Sequence, residues 1–178
     1  RNVLLSSPEL IRLLIEKGGK IDYFNSEKGR ENLIRYSSIN KIIDILIEAG
    51  LDVKVASNGK RTVDDLLAKT DSITEAEKWL GHGAIMTPEI VNNLFHRAMT
   101  KKDLELAEWT LAHGMNIRTI DANGNTLLHN QSYLINYFAL EFLLNRGLDV
   151  NAKNTAGYSV LHSLMTYAYS SREILKCL

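Results

Sequence analysis

Five glycines divide the chain at nearly equal intervals, and that spacing restricts its possible folds more than any other feature. Each glycine closes an apolar helical segment: Leu13–Lys17 runs into Gly18, Leu46–Ala49 into Gly50, Glu77–His82 into Gly83, Trp109–His113 into Gly114, and Phe142–Arg146 into Gly147. The intervals are 32, 33, 31 and 33 residues in a chain of 178 that has only 11 glycines. Glycine enters the left-handed conformation that ends a helix without a Cβ penalty. Basic side chains just before the stop, such as Lys17 and Arg146, suit the negative helix end. A unit of this length holds one helix pair, which cannot bury its apolar stripe alone. The expected fold class is therefore an all-α repeat solenoid, with helix-turn-helix pairs stacked into one core.

A second set of glycines marks the connections. Lys28-Gly29, Asn58-Gly59, Asn123-Gly124 and Ala156-Gly157 read as tips of short β-hairpins, because such pairs accept successive positive φ values. Helix starts are signalled by Ser7-Pro8-Glu9, Ser72-Ile73-Thr74-Glu75, Thr87-Pro88-Glu89 and Ser170-Ser171-Arg172-Glu173. Ser or Thr caps the first amides, proline tolerates the first turn, and the acid suits the positive end. Ile42, Ile43, Leu46 and Ile47 form one apolar helix face. Trp79 and Trp109 fall at second-helix positions and are expected in the core.

The segment Asp121-Ala122-Asn123-Gly124-Asn125-Thr126-Leu127-Leu128-His129 resembles the D-x-x-G-x-T-P-L-H signature of the ankyrin repeat family, with Leu127 in place of proline. Leu148-Asp149-Val150-Asn151-Ala152-Lys153 is similar to the family's A-D-V-N-A-K segment, and Gly157–His162 keeps the same frame. Earlier repeats are more degenerate: Asn32–Arg35 and Thr62–Asp65 occupy the T-P-L-H place. After Gly83 there is no turn glycine, and Thr87-Pro88-Glu89 starts a longer helix, so the hairpin should be lost or reshaped there. The resemblance covers about the whole chain. It implies an outer helix at 8–17, repeats at about 25–50, 58–83, 88–114 and 123–147, and a truncated repeat at 156–178. It also implies a structural role for His96, His129 and His162, spaced 33 apart, in bonding each hairpin to its neighbour.

Lys plus Arg equals Asp plus Glu at 21 each, so no basic surface points to nucleic acid or an anionic membrane. No apolar run approaches the ~20 residues of a membrane helix. A single cysteine, Cys177, allows no internal disulfide and fits a reducing, intracellular compartment. The chain starts without methionine and stops inside a helical pattern, as a fragment of a longer protein would; such a fragment is expected to be monomeric. No P-loop, dinucleotide fingerprint, H-E-x-x-H or nucleophile elbow is present, so no catalytic residue, cofactor or metal site is assigned. Asp121-x-Asn123-x-Asn125 begins like a calcium loop, but Thr126 and Ser132 stand where glycine and glutamate belong. Asn130-Gln131-Ser132 is a glycosylation sequon inside an expected helix. The histidine ladder is too widely spaced for shared zinc ligation, since packed repeats stand ~10 Å apart. His82 and His113 precede stop glycines and read as solvated.

What remains is a surface. Solenoids present a long concave face, in ankyrin-like stacks built from hairpin tips and first helices. The expected partner-binding residues are Lys28, Arg30, Lys60, Arg61, Asn123, Asn125 and Tyr158 at the tips, with Arg97, Lys101, Tyr133 and Tyr167 on first helices. Tyr133, Tyr158 and Tyr167 either form an aromatic patch or fill gaps between helices. Lys28, Arg30, Lys60 and Arg61 form either a basic patch for an acidic partner or a solvated edge. The function expected is a module that binds another protein and is not itself an enzyme. The alternative is a targeting or regulatory arm of a larger enzyme. Degenerate repeats rich in Ile, Asn and Lys resemble those of intracellular bacteria, viruses and other microbes, and a secreted bacterial effector acting in host cytoplasm or nucleus is the specific form of that expectation.

Overall fold

A computed structural model describes residues 7–35, 40–57, 60–134 and 136–170. The expected tip at Asn58-Gly59, the cap at Ser171 and the end of the truncated repeat at 171–178, with Cys177, lie outside the described residues. So do the side chains of Lys60, Tyr167 and Tyr169. The chain forms two compact units, Arg1–Ile90 and Val91–Leu178.

The first unit contains α1 (Pro8–Glu16), α2 (Asp22–Asn25), α3 (Glu27–Arg35) and α4 (Asn40–Glu48), then the hairpin β1 (Ala56–Ser57) and β2 (Lys60–Arg61), and α5 (Thr62–Lys69) and α6 (Ile73–Gly81). The hairpin pairs Ala56 with Arg61 and Ser57 with Lys60 in antiparallel register. The helix α7 (Pro88–Lys101) begins at the end of this unit and belongs mainly to the second. The second unit continues with α8 (Leu104–Ala112), a 3-10 turn at Leu127–His129, α9 (Gln131–Leu134), α10 (Tyr137–Asn145) and α11 (Val160–Ser170). The fold is all-helical with paired helices, as the repeat period requires.

All five stop glycines take positive φ, at 89, 99, 87, 97 and 75° in chain order. The same two hydrogen bonds close each one. At Gly50, the glycine amide donates to Ile47 O (3.0 Å) and the following Leu51 amide reaches back to Leu46 O (2.8 Å). Gly114 with Met115 and Gly147 with Leu148 repeat the pattern, the second bonds being 3.0 Å to Thr110 O and 3.3 Å to Leu143 O. This is the paired closure that satisfies otherwise orphaned end carbonyls. The residue after the stop then turns inward: Leu51, Met115 and Leu148 are all buried.

Ile42, Ile43, Leu46, Val63, Leu67 and Trp79 are fully buried in the first unit. Leu94, Phe95, Met99, Leu106, Leu128 and Leu143 are fully buried in the second. Trp79 is thus core as expected. Trp109 is only half-buried, and its ring lies on the His113 ring at 3.8 Å between centroids. Ion pairs tie outer helices together: Arg12–Glu48 joins α1 to α4 (3.2 Å), Lys78–Asp44 joins α6 to α4, and Arg146–Glu108 joins α10 to α8.

One expected tip is corrected. Lys28-Gly29 is not a hairpin but lies inside α3, directly after α2. Gly29 is absent from the positive-φ glycines; a Cβ there would collide with the Tyr23 carbonyl of α2. Glycine serves close approach here, not a left-handed turn. The expectation for the next connection holds: no strand lies between the Gly83 stop and α7, and Pro88 follows through a short loop.

At Gly114 a Cβ would meet no atom within 4 Å, while φ is +97°. Gly114→Ala should therefore lose stability through backbone strain alone, about 1–2 kcal/mol in chemical denaturation. No loss would mean that the stop does not need its left-handed residue.

Candidate partner-binding surface

The second unit holds two tips that are the same structure 33 residues apart. In the first, Asp121 N donates to Asn125 O (3.0 Å), and Gly124 N donates to Asp121 O (2.9 Å). In the second, Asn154 N donates to Tyr158 O and Gly157 N to Asn154 O, both at 2.9 Å. The turn is held from inside by the leading side chain. Asp121 Oδ1 accepts from Asn123 N and Asn125 N (2.8 and 2.9 Å), and Asn154 Oδ1 accepts from Ala156 N and Tyr158 N (3.1 and 3.0 Å). Asp and Asn favour turns because a short side-chain acceptor reaches these amides. Gly124 and Gly157 complete the tips at φ +74° and +79°. One antiparallel bridge flanks each tip, Ile120 with Thr126 and Lys153 with Ser159. The hairpins here are therefore reduced to a single bridge.

The tips are bonded to each other. Thr155 N and Thr155 Oγ1 both donate to Asn123 O at 2.9 Å, and Asn154 Nδ2 donates to Asn125 Oδ1 at 2.9 Å. The buried His129 supplies the last link. Its Nδ1 accepts from the Thr126 amide (3.2 Å), which leaves the proton on Nε2, and Nε2 donates to Tyr158 O (3.1 Å). This is the neighbour-bonding role that the family resemblance implied for the histidines. Among the described residues His162 makes the inner half, to Ser159 (2.8 Å), and His96 instead meets the Tyr133 ring edge-on at 5.6 Å.

The expected partner-binding residues separate on this frame. Asn123 is exposed at the first tip, with its carbonyl engaged by Thr155. Asn125 is half-buried and its amide spans both tips, donating to Asp121 Oδ2 (3.0 Å) and accepting from Asn154. Tyr158 is 52% exposed, its ring nearly parallel to that of His162 (14°, 6.1 Å). Arg97 is half-buried and Lys101 exposed on α7. Tyr167 lies on α11, with its side chain outside the described residues.

Tyr133 is not on the surface. It is 5% exposed and packs edge-on against Phe95 of α7 at 6.2 Å, so it fills a gap between helices. Removal from water pushes its hydroxyl up to about 12. The three-tyrosine patch is therefore not assembled.

The basic patch is also corrected. Because α3 is helical, Arg30 turns inward and is buried, with its Nε unpartnered. Arg61 is half-buried and bidentate to Asp64 at 2.8 and 2.7 Å, which neutralises it. Lys28 remains exposed on α3, and Lys60 lies on β2 with its side chain outside the described residues. The residues that the sequence reading missed are Asp121, Asn154 and Thr155, which build and join the tips. For Asp121 and Asn154 the signal was an Asp or Asn three residues before each tip glycine.

Among the described residues no group of three or more His, Cys, Asp or Glu side chains could hold a metal, and no helix is long and apolar enough to cross a membrane. Glycine-stopped helix pairs and side-by-side turn tips define a helical repeat protein. Residues 95–130 match the family model described as ankyrin repeats (many copies). A fowlpox virus protein described as an ankyrin repeat protein is 28% identical over 138 residues, covering 76% of this chain and 32% of that protein. A mimivirus protein described likewise is 24% identical over 163 residues, covering 84% of this chain and 21% of that protein. Residues 95–130 are thus matched as ankyrin repeats, and the chain as a whole is similar to ankyrin repeat proteins. It spans about a third and about a fifth of these relatives' lengths. They are viral, which corrects the expectation of a bacterial effector.

The raised Tyr133 hydroxyl has a pH consequence. The folded chain holds this proton above the ordinary tyrosine value of ~10, where the unfolded chain releases it. Its contribution is complete below pH ~10 and is lost as pH rises towards about 12. Denaturation across that range should show Tyr133→Phe losing less stability than wild type; equal losses would place the hydroxyl in water.

Proposed function

We propose that the chain binds a partner protein through the tips at Asp121–Asn125 and Asn154–Tyr158 and the exposed sides of the first helices, on what would be the concave face of the repeat stack. Ankyrin repeats are in general protein-interaction modules, which supports this reading. The observation that carries the reading is Tyr158. It is a large aromatic side chain, half in solvent, on a turn whose backbone is fixed by Asn154 and His129. An aromatic held by its backbone loses little entropy on docking, which is why tyrosine is enriched among interface hot spots.

In this reading the segment itself is a non-catalytic arm, acting within a reducing, intracellular compartment. Catalysis in the whole protein, if present, would reside in other parts of a longer chain. The length of the relatives supports that arrangement, since the aligned region is a minority of each.

Affinity capture with the immobilised chain, followed by titration of the purified partner, tests the proposal. Tyr158→Ala should weaken binding by about 2 kcal/mol, roughly 30-fold, without moving the thermal midpoint. A partner that binds the variant as tightly as wild type would remove the tips from the interface.

A further inference from the structure

Within the first unit, the outer helices α1 and α4 leave a groove of about 510 Å³ between them. Counted back from the stops at Gly18 and Gly50, its lining residues fall at equivalent positions: Arg12 with Asp44, Leu13 with Ile45, and Glu16 with Glu48. Spacings of three and four put them along one face of each helix. Ile45 is buried, whereas Leu13 is 49% exposed. Arg12 pairs with Glu48 at 3.2 Å, and at the opposite end Lys41 offsets Glu9. Among the described residues no cation pairs with Glu16. The last turns of α1 and α4 hold no basic residue, and Lys17, which caps α1, does not line the groove. Two glutamates therefore stand at two helix C-termini, where the helix dipoles favour a cation. Two other outer-helix pairs supply that cation themselves. Lys78 of α6 pairs with Asp44 of α4, and Arg146, which caps α10, pairs with Glu108 of α8. In both, the later repeat brings the base, and the acid stands six residues before its stop glycine. Between α1 and α4 the polarity is reversed: Arg12 holds the acid's position, and α4 ends on Glu48.

We propose that the groove between α1 and α4 docks a helix of a partner protein that presents one basic and one apolar side chain a turn apart. This is a second surface, in the other unit from the tips, and it goes beyond the protein-binding reading above. The basic group reaches the Glu16–Glu48 end and makes with Glu16 the kind of pair that Lys78 and Arg146 make elsewhere in the chain. A carboxylate only accepts, so its partner must donate, as an ammonium or guanidinium group does. The apolar side chain covers Leu13 above the buried Ile45. Leu13 and Glu16 are about 4.5 Å apart along the helix axis. A helix laid along the groove therefore meets both with side chains three or four residues apart. Charge favours the same occupant. Glu9, Glu16, Asp44 and Glu48 outnumber Arg12 and Lys41 in the lining, and the balance stays negative with Lys78 counted beside Asp44. Such a groove attracts a basic segment and repels an acidic one.

A phage-displayed single-helix scaffold, randomised on one face and panned against the chain, supplies the probe. Selected faces should pair Lys or Arg with an apolar residue three or four positions away, and their binding should weaken with salt. Leu13 and Glu16 are both exposed, so their substitution leaves the fold in place, which the thermal midpoint checks. Glu16→Gln should weaken binding about fivefold and flatten the salt dependence, and Leu13→Ala should weaken it about tenfold. Glu16→Lys should weaken it further while the thermal midpoint holds or rises, because a cation suits the helix end. Lys17→Gln, outside the groove, should not weaken it. A selection that yields no such face, or helices that bind Glu16→Gln and Leu13→Ala as tightly as wild type, would overturn the groove site. Neither result bears on the Tyr158→Ala measurement, which probes the tips of the other unit.

Discussion

Every repeat depends on a helix that stops at a fixed point. The backbone closure at Gly18, Gly50, Gly83, Gly114 and Gly147 ends the outer helix, and at Gly50, Gly114 and Gly147 it sends the next residue back into the core. That reversal costs a left-handed residue, and glycine adopts it without steric penalty. Once the stop is set, the length of chain from one stop to the next decides which side chains meet. Leu46, Trp79, Thr110 and Leu143 all stand four residues before their glycines, and all four are fully buried. The equivalent Leu14 on α1 is half exposed, because the described part of the first unit has no inner helix ahead of it. Burial in this fold is therefore a property of position within a stack more than of the individual side chain.

Backbone requirements were legible in the sequence, and long-range packing was not. The stops, the tips at Gly124 and Gly157, and the missing hairpin before α7 each depend on a local conformational demand that glycine or proline announces. Gly29 was misread because glycine has two uses. The pair Lys28-Gly29 has the composition of a turn, and only the approach of the Tyr23 carbonyl shows that space, not φ, was the constraint. The error carried forward: with Lys28-Gly29 taken as a hairpin tip, Arg30 looked like a tip residue, whereas the helix rotates it inward. Of the two places left open for Tyr133, a surface patch or a gap between helices, the structure takes the second. The rings packed on it are Phe95 and His96 of α7, which no local pattern around residue 133 reports.

The tips join fold to function. Their hydrogen bonds run within each turn and across to the next, so the exposed atoms are held by a frame that does not have to order on binding. Such preorganisation lowers the entropic cost of docking. It also explains how degenerate repeats keep a recognisable surface. The chain departs from the family pattern at Leu127 and in the loop after Gly83, yet the tip at Asp121–Asn125 retains the acid, the glycine and the histidine that hold it.

Residue-resolved amide hydrogen exchange tests the central claim most directly. The amides of Leu51, Ala84, Met115 and Leu148, each the first residue past a stop, are donors in the closing bonds, and Thr155 N–H is the donor between tips. All five should exchange far more slowly than an unstructured chain. Exchange at the unstructured rate after the stop glycines would contradict a fold organised by repeated helix closure.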